Sequence, residues 1–505
     1  MKVGTALRAV LRPLRERSLP SEPTHTAMTS SIHIPVLRLG QTYRSLDKIQ
    51  FNVSGQPLEI SVANSGLIRR DLQQLAKSGA ALRAIPCETL VGYMEKAAEL
   101  FLHGNLPWGD DDRLQSPDDY AVALSQLTGL PHSLARSNMG KVHAAMSNIR
   151  AVISGLTRGM PLELFDRGFI RQNGLDVNFF AETNSLGVLL PSNSPGVNSL
   201  WLPALVMKIP VVLKPGREDP LTPFRLIQAM IAAGFPREAF GFYPTTHDGG
   251  DTLLFGTGRA IAFGSDATLK KYAPYRHINV HGSGRSKIVI GDDFAADWPK
   301  HLDVIVNSIA ANGGRSCINC SSVLISNNRD TLANALARKL AAIEPLPRDH
   351  PDAVLCSFAN PKSAKAIDER LNELLAVPGA IDLTAKYRNG PRLVEMHGQT
   401  FLRPTLIVCD DLNHPLANTE YGFPFASVLQ VPQAKMIGQI GESLVVSAFT
   451  RDQTWSIDLM TSTNIERLNL GPYSTMRVQW EQPHEGNLFE FLYRRRALQG
   501  DLVAA

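Results

Sequence analysis

What this chain lacks narrows its function before any motif is read. No uninterrupted apolar run among its 505 residues approaches the roughly 20 residues that a membrane-spanning helix requires, so no membrane span is expected. Cysteine is scarce: five residues, an odd number without framework spacing, suit a reducing compartment rather than a disulfide scaffold. Charge of one sign is also in short supply, because 51 basic residues against 47 acidic ones leave a net charge of only +4. That balance makes no case for nucleic acid or a membrane surface as partner. The sequence also shows no internal repeat of the kind that marks solenoids and propellers.

The amino-terminal stretch has its own absences. Residues 1–31 carry Lys2, Arg8, Arg12, Arg15 and Arg17 against Glu16 and Glu22, without the apolar core and small-residue cleavage pattern of a secretory signal. Three readings stay open: an Arg-rich transit peptide, a flexible extension, or translation beginning at Met28. A cytoplasmic protein is the expectation, with organellar import as the alternative.

What is present reads as an ordinary soluble globular chain. With 44% hydrophobic and 19% charged residues it can bury large cores in two or three domains. Alternating runs within residues 35–62, broken by Gly55, predict a hairpin. Helices follow at 89–103, where Leu90, Tyr93, Ala97, Leu100 and Phe101 share a face, at 117–127 behind Ser116 and Pro117, and over 133–156. A strand at 177–180 precedes an alternation of strand 187–190, helix 199–207, strand 211–214, helix 222–233 and strand 260–263. Short β-rich runs separated by helices predict a doubly wound parallel sheet, whose ligands sit at the carboxyl ends of its strands. The loops at that edge are 191–196, 214–218 and 263–265. Later helices are expected at 330–342 and 363–376, with strands at 406–408, 443–446 and 477–480.

The stretch that carries chemistry is 310–325. Leu302, Ile305, Val306, Ile309 and Ala310 recur at helical spacing, Val323-Leu324-Ile325 suits a buried strand, and Asn312-Gly313-Gly314 softens the turn between them. Cys317 therefore falls at an element junction, where a thiol can face a cleft and attack carbon as its thiolate, with Arg315 as a nearby cation. Two plainer readings stand beside this one. A cysteine among apolar residues is often only a small buried hydrophobe, and Cys317 with Cys320 forms C-x-x-C, a redox pair or half a metal site. No second pair follows, and no metal site is assigned.

Several loops, taken in chain order, carry a family likeness. Pro191-Ser192-Asn193-Ser194-Pro195 is similar to a P-W-N-x-P loop, Val211-Val212-Leu213-Lys214-Pro215 to V-V-x-K-P, Gly234-Phe235-Pro236 to G-x-P, and Phe263-Gly264-Ser265 to a shortened F-T-G-S. Asn312-Gly313-Gly314-Arg315-Ser316-Cys317 is similar to N-x-G-Q-x-C, Phe401-Leu402-Arg403-Pro404-Thr405-Leu406 to F-x-x-P-T-L, and Glu420-Tyr421-Gly422-Phe423-Pro424 to E-I-F-G-P. From about residue 90 to 490 the chain thus resembles the aldehyde dehydrogenase superfamily.

The resemblance implies an α/β fold of three parts: a Rossmann-type nicotinamide-binding domain, an α/β catalytic domain and a small β oligomerisation flap. The implied division is an extension at 1–31, a mainly cofactor-binding domain at 32–284 with oligomerisation strands near 160–182, a catalytic domain at 285–472 and an oligomerisation tail at 473–505. It implies Cys317 as covalent nucleophile, with Asn193 and the Cys317 backbone N–H as oxyanion donors. Pro191, Ser192, Lys214, Ser265 and Glu420 would contact the cofactor. A homodimer or homotetramer is implied too, with Leu488, Phe489, Phe491 and Leu492 buried against a partner subunit.

One departure from the family shapes the expected reaction. Hydrolytic members carry a glutamate in E-L-G-G-K, whereas the corresponding run here, Asn279-Val280-His281-Gly282-Ser283-Gly284-Arg285-Ser286, has none. Water needs a base to attack an acyl-enzyme at neutral pH, but a thiol does not. The expectation is therefore an acyl-CoA reductase or CoA-acylating dehydrogenase, exchanging a cysteine thioester with coenzyme A as co-substrate. The alternatives are hydrolytic oxidation with His281 as substitute base, and an inactive nucleotide-binding homologue. Arg217, where NAD-using relatives commonly place a glutamate, predicts a preference for NADP over NAD, unless Glu218 takes the glutamate's role.

Overall fold

The computed structural model describes residues 31–499, so the expected amino-terminal extension lies outside the described residues except for Ser31. Two seven-stranded sheets dominate the chain. The first runs in the order Ile278–His281, Arg259–Phe263, Leu186–Leu189, Val211–Lys214, Phe240–Phe242, Val36–Arg38, Gln41–Tyr43. Its first five strands are parallel, and the last two are antiparallel. The parallel strands are apolar nearly throughout because helices cover both faces. Val211, Val212 and Leu213 are fully buried, each contributing roughly 1.5–3 kcal/mol.

The second sheet runs Ala380–Asp382, Thr405–Cys409, Phe425–Gln430, Cys320–Ile325, Ser286–Ile290, Ser443–Phe449, Ile465–Leu470, parallel except at its first strand. A separate antiparallel sheet joins Tyr493–Arg496, Leu175–Ala181 and Phe169–Gln172. This is the expected three-part α/β architecture.

Local rules explain most elements. Ser54 and Gly55 both take left-handed φ (52° and 79°), which closes the tight hairpin between Lys48–Val53 and Gln56–Ser61. Ser116 and Asp119 form a reciprocal capping box at the start of Pro117–Thr128. Gly129 ends that helix at φ 78°, where a side chain would meet the Ser357 carbonyl at 2.0 Å.

Three expectations are corrected. The helix expected at 199–207 is a tight 3-10 segment, Pro195–Leu200, followed by the short α-helix Leu202–Val206. The strand expected at 477–480 is a loop instead, because Val478, Gln479 and Trp480 have no strand to pair with and line a cavity. Of the four residues expected to bury against a partner, Phe489 and Leu492 are buried by their own chain, while Leu488 and Phe491 are half-buried. Leu488–Leu492 is a helix with Phe489 at 3% and Leu492 at 0% exposure, and Phe489 stacks on Tyr493, meets Phe165 edge to face and lies tilted against Phe179.

Candidate active site

The two large sheets are tied edge to edge by a short piece of chain. Strand Ile278–His281 ends at the carboxyl edge of the first sheet, and after Gly282, Ser283, Gly284 and Arg285 the strand Ser286–Ile290 begins the second. Four residues reach at most about 14 Å. The carboxyl edge of one sheet therefore faces the amino edge of the other, and Cys317, just before Cys320–Ile325, lies on that second edge. Gly284 lets the connection fit: a Cβ there would come 1.9 Å from the Cys317 carbonyl oxygen. The Ser286 hydroxyl donates to the same oxygen at 2.9 Å.

The cysteine turn is built by its glycines and asparagines. Asn312, Gly313 and Gly314 have φ of 54°, 65° and 70°, a left-handed run that β-carbons resist. Side chains at the two glycines would strike Cys356 Sγ and the Phe423 backbone, both at 2.3 Å. Asn319 closes the turn, accepting from the Ser316 N–H at 2.8 Å and donating to the carbonyls of Ser308 and Ala311 at 3.1 and 2.9 Å. Asn138, on a distant helix, donates to the Asn312 amide oxygen at 2.7 Å, while Asn312 donates to Ser194 and Ser316 at 3.2 and 2.8 Å. The turn is thus bonded to the loop after strand Leu186–Leu189.

Cys317 is half-buried and opens onto a cavity of about 290 Å³. Burial pushes its thiol up to about 12, with the negative charges of Glu420 and Glu485 adding to the shift and Arg467 opposing it. Arg315 is not the activating cation expected. Its guanidinium turns away to the carbonyls of Thr128 and Ser357, and its charge acts on Cys356 instead. Cys320 is fully buried, its thiol donating to the Ser322 carbonyl at 3.2 Å. All five cysteines are free.

His281 shares the Cys317 cavity. It is 6% exposed, packs on Phe263 with ring centroids 4.8 Å apart, and holds Nδ1 at 2.6 Å from a Glu485 carboxylate oxygen. The approach has ion-pair distance but lies off the hydrogen-bonding direction, so neither ring nitrogen has an aligned partner among the described residues. Beside them Arg467 donates to the Arg477 carbonyl at 2.8 Å and lies 3.2 Å from His484 Nδ1. Burial, Arg467 and His281 hold His484 down to about 3, which keeps it neutral. Ile149, Val152, Leu200, Phe263 and Trp480 give the cavity its apolar wall.

The other predicted residues divide between the two edges. Pro191, Ser192, Asn193, Lys214, Arg217 and Ser265 lie in or beside the loops at the carboxyl ends of strands Leu186–Leu189, Val211–Lys214 and Arg259–Phe263. Ser192 accepts from the Glu218 N–H at 3.1 Å, and Gly216 allows that contact, since a Cβ there would reach Ser192 Oγ at 2.3 Å. Burial lowers the Lys214 ammonium, and Glu218 partly offsets it. Arg217 is exposed and forms no ion pair among the described residues, and Ser265 is exposed. Asn193 is exposed, its amide donating to the Arg315 carbonyl at 2.9 Å. Glu420 sits across on the second edge, accepting from the Arg285 N–H at 2.7 Å, and burial pushes it up to about 7.

A sequence profile of the Aldehyde dehydrogenase family matches residues 138–441, more than half of the chain. The chain belongs to this family. Its curated relatives include N-succinylglutamate 5-semialdehyde dehydrogenase of Sphingopyxis alaskensis, 28% identical over 241 residues, a match covering 44% of this chain and 47% of that one. Another is 2-hydroxymuconic semialdehyde dehydrogenase of a Pseudomonas species, 27% identical over 309 residues, covering 57% of this chain and 61% of that one. The matches thus span about half the length of these relatives. Among solved structures, indole-3-acetaldehyde dehydrogenase complexed with NAD+ superposes with a TM-score of 0.75 at 17% identity, covering 93% of this chain and 96% of that one.

These matches correct the expectation of a CoA-linked enzyme. They are to dehydrogenases named for aldehydes and semialdehydes, not to acyl-CoA reductases or CoA-acylating enzymes. The error lay in reading one vacant sequence position as a vacant site. The cavity wall beside Cys317 carries His281, His484 and Glu485, two of them delivered by a segment some 200 residues downstream of the missing glutamate. No sequence motif marks Asn138, Arg467 or Glu485, which the structure brings to the site. The only sequence signal for Glu485 was a His-Glu pair ahead of an apolar run, which fixes no position in space.

Proposed function

We propose that this protein oxidises an aldehyde with a largely apolar body to the carboxylic acid, with NAD(P) as hydride acceptor and water as acyl acceptor. The observation that carries this reading is Cys317, whose thiol opens onto a largely apolar cavity at the seam between the two sheet edges. Cys317 attacks the aldehyde carbonyl as its thiolate, after its proton has passed to solvent. The Cys317 backbone N–H and Asn193 hold the developing oxyanion, and one such donor is worth about 3 kcal/mol. A bound nicotinamide supplies the hydride acceptor. His281 then takes a proton from water as it attacks the acyl-enzyme.

The residues at the first sheet's carboxyl edge suit a dinucleotide. Lys214 and Arg217 bring two cations to the crevice where such sheets bind ligands, and neither forms an ion pair among the described residues. Pro191, Ser192 and Ser265 lie at the same edge, with Glu420 facing them. Arg217 supports a preference for the 2′-phosphate of NADP. The antiparallel sheet of Tyr493–Arg496, Leu175–Ala181 and Phe169–Gln172 supports assembly as a homodimer or homotetramer, and five free cysteines support a cytoplasmic setting.

The test is incubation with a panel of apolar and carboxylate-bearing aldehydes, with NAD+ or NADP+ and no coenzyme A. Reduced cofactor and free acid should form together. A panel without cofactor reduction would sink the reading.

A further inference from the structure

His281 is a buried imidazole among the residues lining the cysteine cavity, and both its ring nitrogens are buried without an aligned partner among the described residues. Among the described residues the one anion at ion-pair distance is Glu485, which belongs to the loop ahead of helix Leu488–Leu492 rather than to any neighbouring strand. Glu485 lines the same cavity, and its charge is felt at Cys317. His484, held neutral, and Arg467 stand beside the pair, so neither offers His281 a competing carboxylate.

We infer that Glu485 is a positioning residue for hydrolysis: its carboxylate, 2.6 Å from Nδ1, favours the tautomer that carries the proton on that nitrogen and leaves Nε2 as the acceptor that activates water. The inference rests on the proposed oxidation to an acid. A carboxylate beside one ring nitrogen fixes the imidazole tautomer and orientation, which is how a base is aimed. In the step, the water oxygen bonds to the acyl carbon and its proton passes to Nε2. The carbon–sulfur bond then breaks, Cys317 leaves as thiolate, and the proton returns from Nε2 to the sulfur or to solvent. His281 at its strand end thereby does the work of the family's missing glutamate, positioned by the carboxyl-terminal loop.

Rapid mixing of enzyme, aldehyde and oxidised cofactor separates hydride transfer from hydrolysis. In Glu485→Gln, one equivalent of reduced cofactor should form as fast as in the natural protein. The following steady rate should fall on the order of tenfold to a hundredfold. His281→Gly should show the same burst with a lower steady rate, and added imidazole should restore that rate. The double variant should be no slower than His281→Gly. Cofactor dissociation constants measured on each variant report folding. A steady rate unchanged in Glu485→Gln would overturn the inference, as would a burst slowed as much as the steady rate, or effects of the two substitutions that multiply. A natural protein that forms no reduced cofactor would overturn the functional reading itself.

Discussion

The two walls that meet at Cys317 are made in opposite ways. One is the turn from Ala310 to Cys320, in which left-handed Asn312, Gly313 and Gly314, the Asn319 clasp and the cysteine are contiguous in sequence. The other is assembled from separated pieces: His281 at a strand end, Arg467 in the last strand of the second sheet, and His484 and Glu485 in the carboxyl-terminal loop. A contiguous wall announces itself through residue types that the backbone demands. An assembled wall is set by tertiary packing and leaves only scattered polar residues in the sequence, so His281 is legible as a substitute base but its neighbours His484, Glu485 and Arg467 are not.

The comparison breaks most visibly at the nucleophile. Cys317→Ala should abolish turnover while leaving cofactor binding intact, whereas Cys320→Ala should keep the chemistry, because its thiol is buried in a strand. Activity retained without Cys317, or lost only without Cys320, would show that the contiguous wall had been misread.

Glu420 tests whether burial at the seam shapes pH behaviour. Its folded-state pKa of about 7 lies above the ordinary carboxylate value of about 4.3, so the ionised form is disfavoured in the folded protein. Its contribution to stability is full below about pH 4 and is lost as the pH rises through 7, on the order of 3 kcal/mol in all. Glu420→Gln should therefore leave the denaturation midpoint nearly unchanged at pH 4 and raise it at pH 8. Equal effects at both pH values would contradict this account of the carboxyl.

The join between the walls is sharpened by Gly284. A methyl group placed 1.9 Å from the Cys317 carbonyl forces the connection away from the cysteine turn. Gly284→Ala should cost roughly 1–3 kcal/mol, read from chemical denaturation, and should slow turnover more than it weakens cofactor binding. Losing only cofactor affinity would place the join elsewhere.

An effect confined to cofactor choice is expected away from the seam, at exposed Arg217. A charge-assisted contact to a 2′-phosphate is worth roughly 1.5–3 kcal/mol. Arg217→Ala should lower the ratio of NADP to NAD affinity by about tenfold to a hundredfold, measured by cofactor titration. An unchanged ratio would remove Arg217 as the selector.

The same contrast explains what the sequence made legible. The strands at 211–214 and 260–263 and the helices at 89–103 and 117–127 were readable because β-branched runs, apolar spacing and a capping serine specify them locally. Cys317 was readable as an element junction. The loop at 477–480 was read as a strand because its Val and Trp suit one, although the structure gives it no strand to pair with. Burial of Phe489 and Leu492 was anticipated, but the surface that covers them was assigned to a partner subunit when their own chain supplies it.

The most direct measurement is the number of equivalents of reduced cofactor formed per Cys317 when aldehyde and oxidised cofactor are supplied without coenzyme A. The account predicts many turnovers, with free carboxylic acid accumulating one for one with reduced cofactor. Formation that stops at one equivalent and resumes only when coenzyme A is added would contradict it.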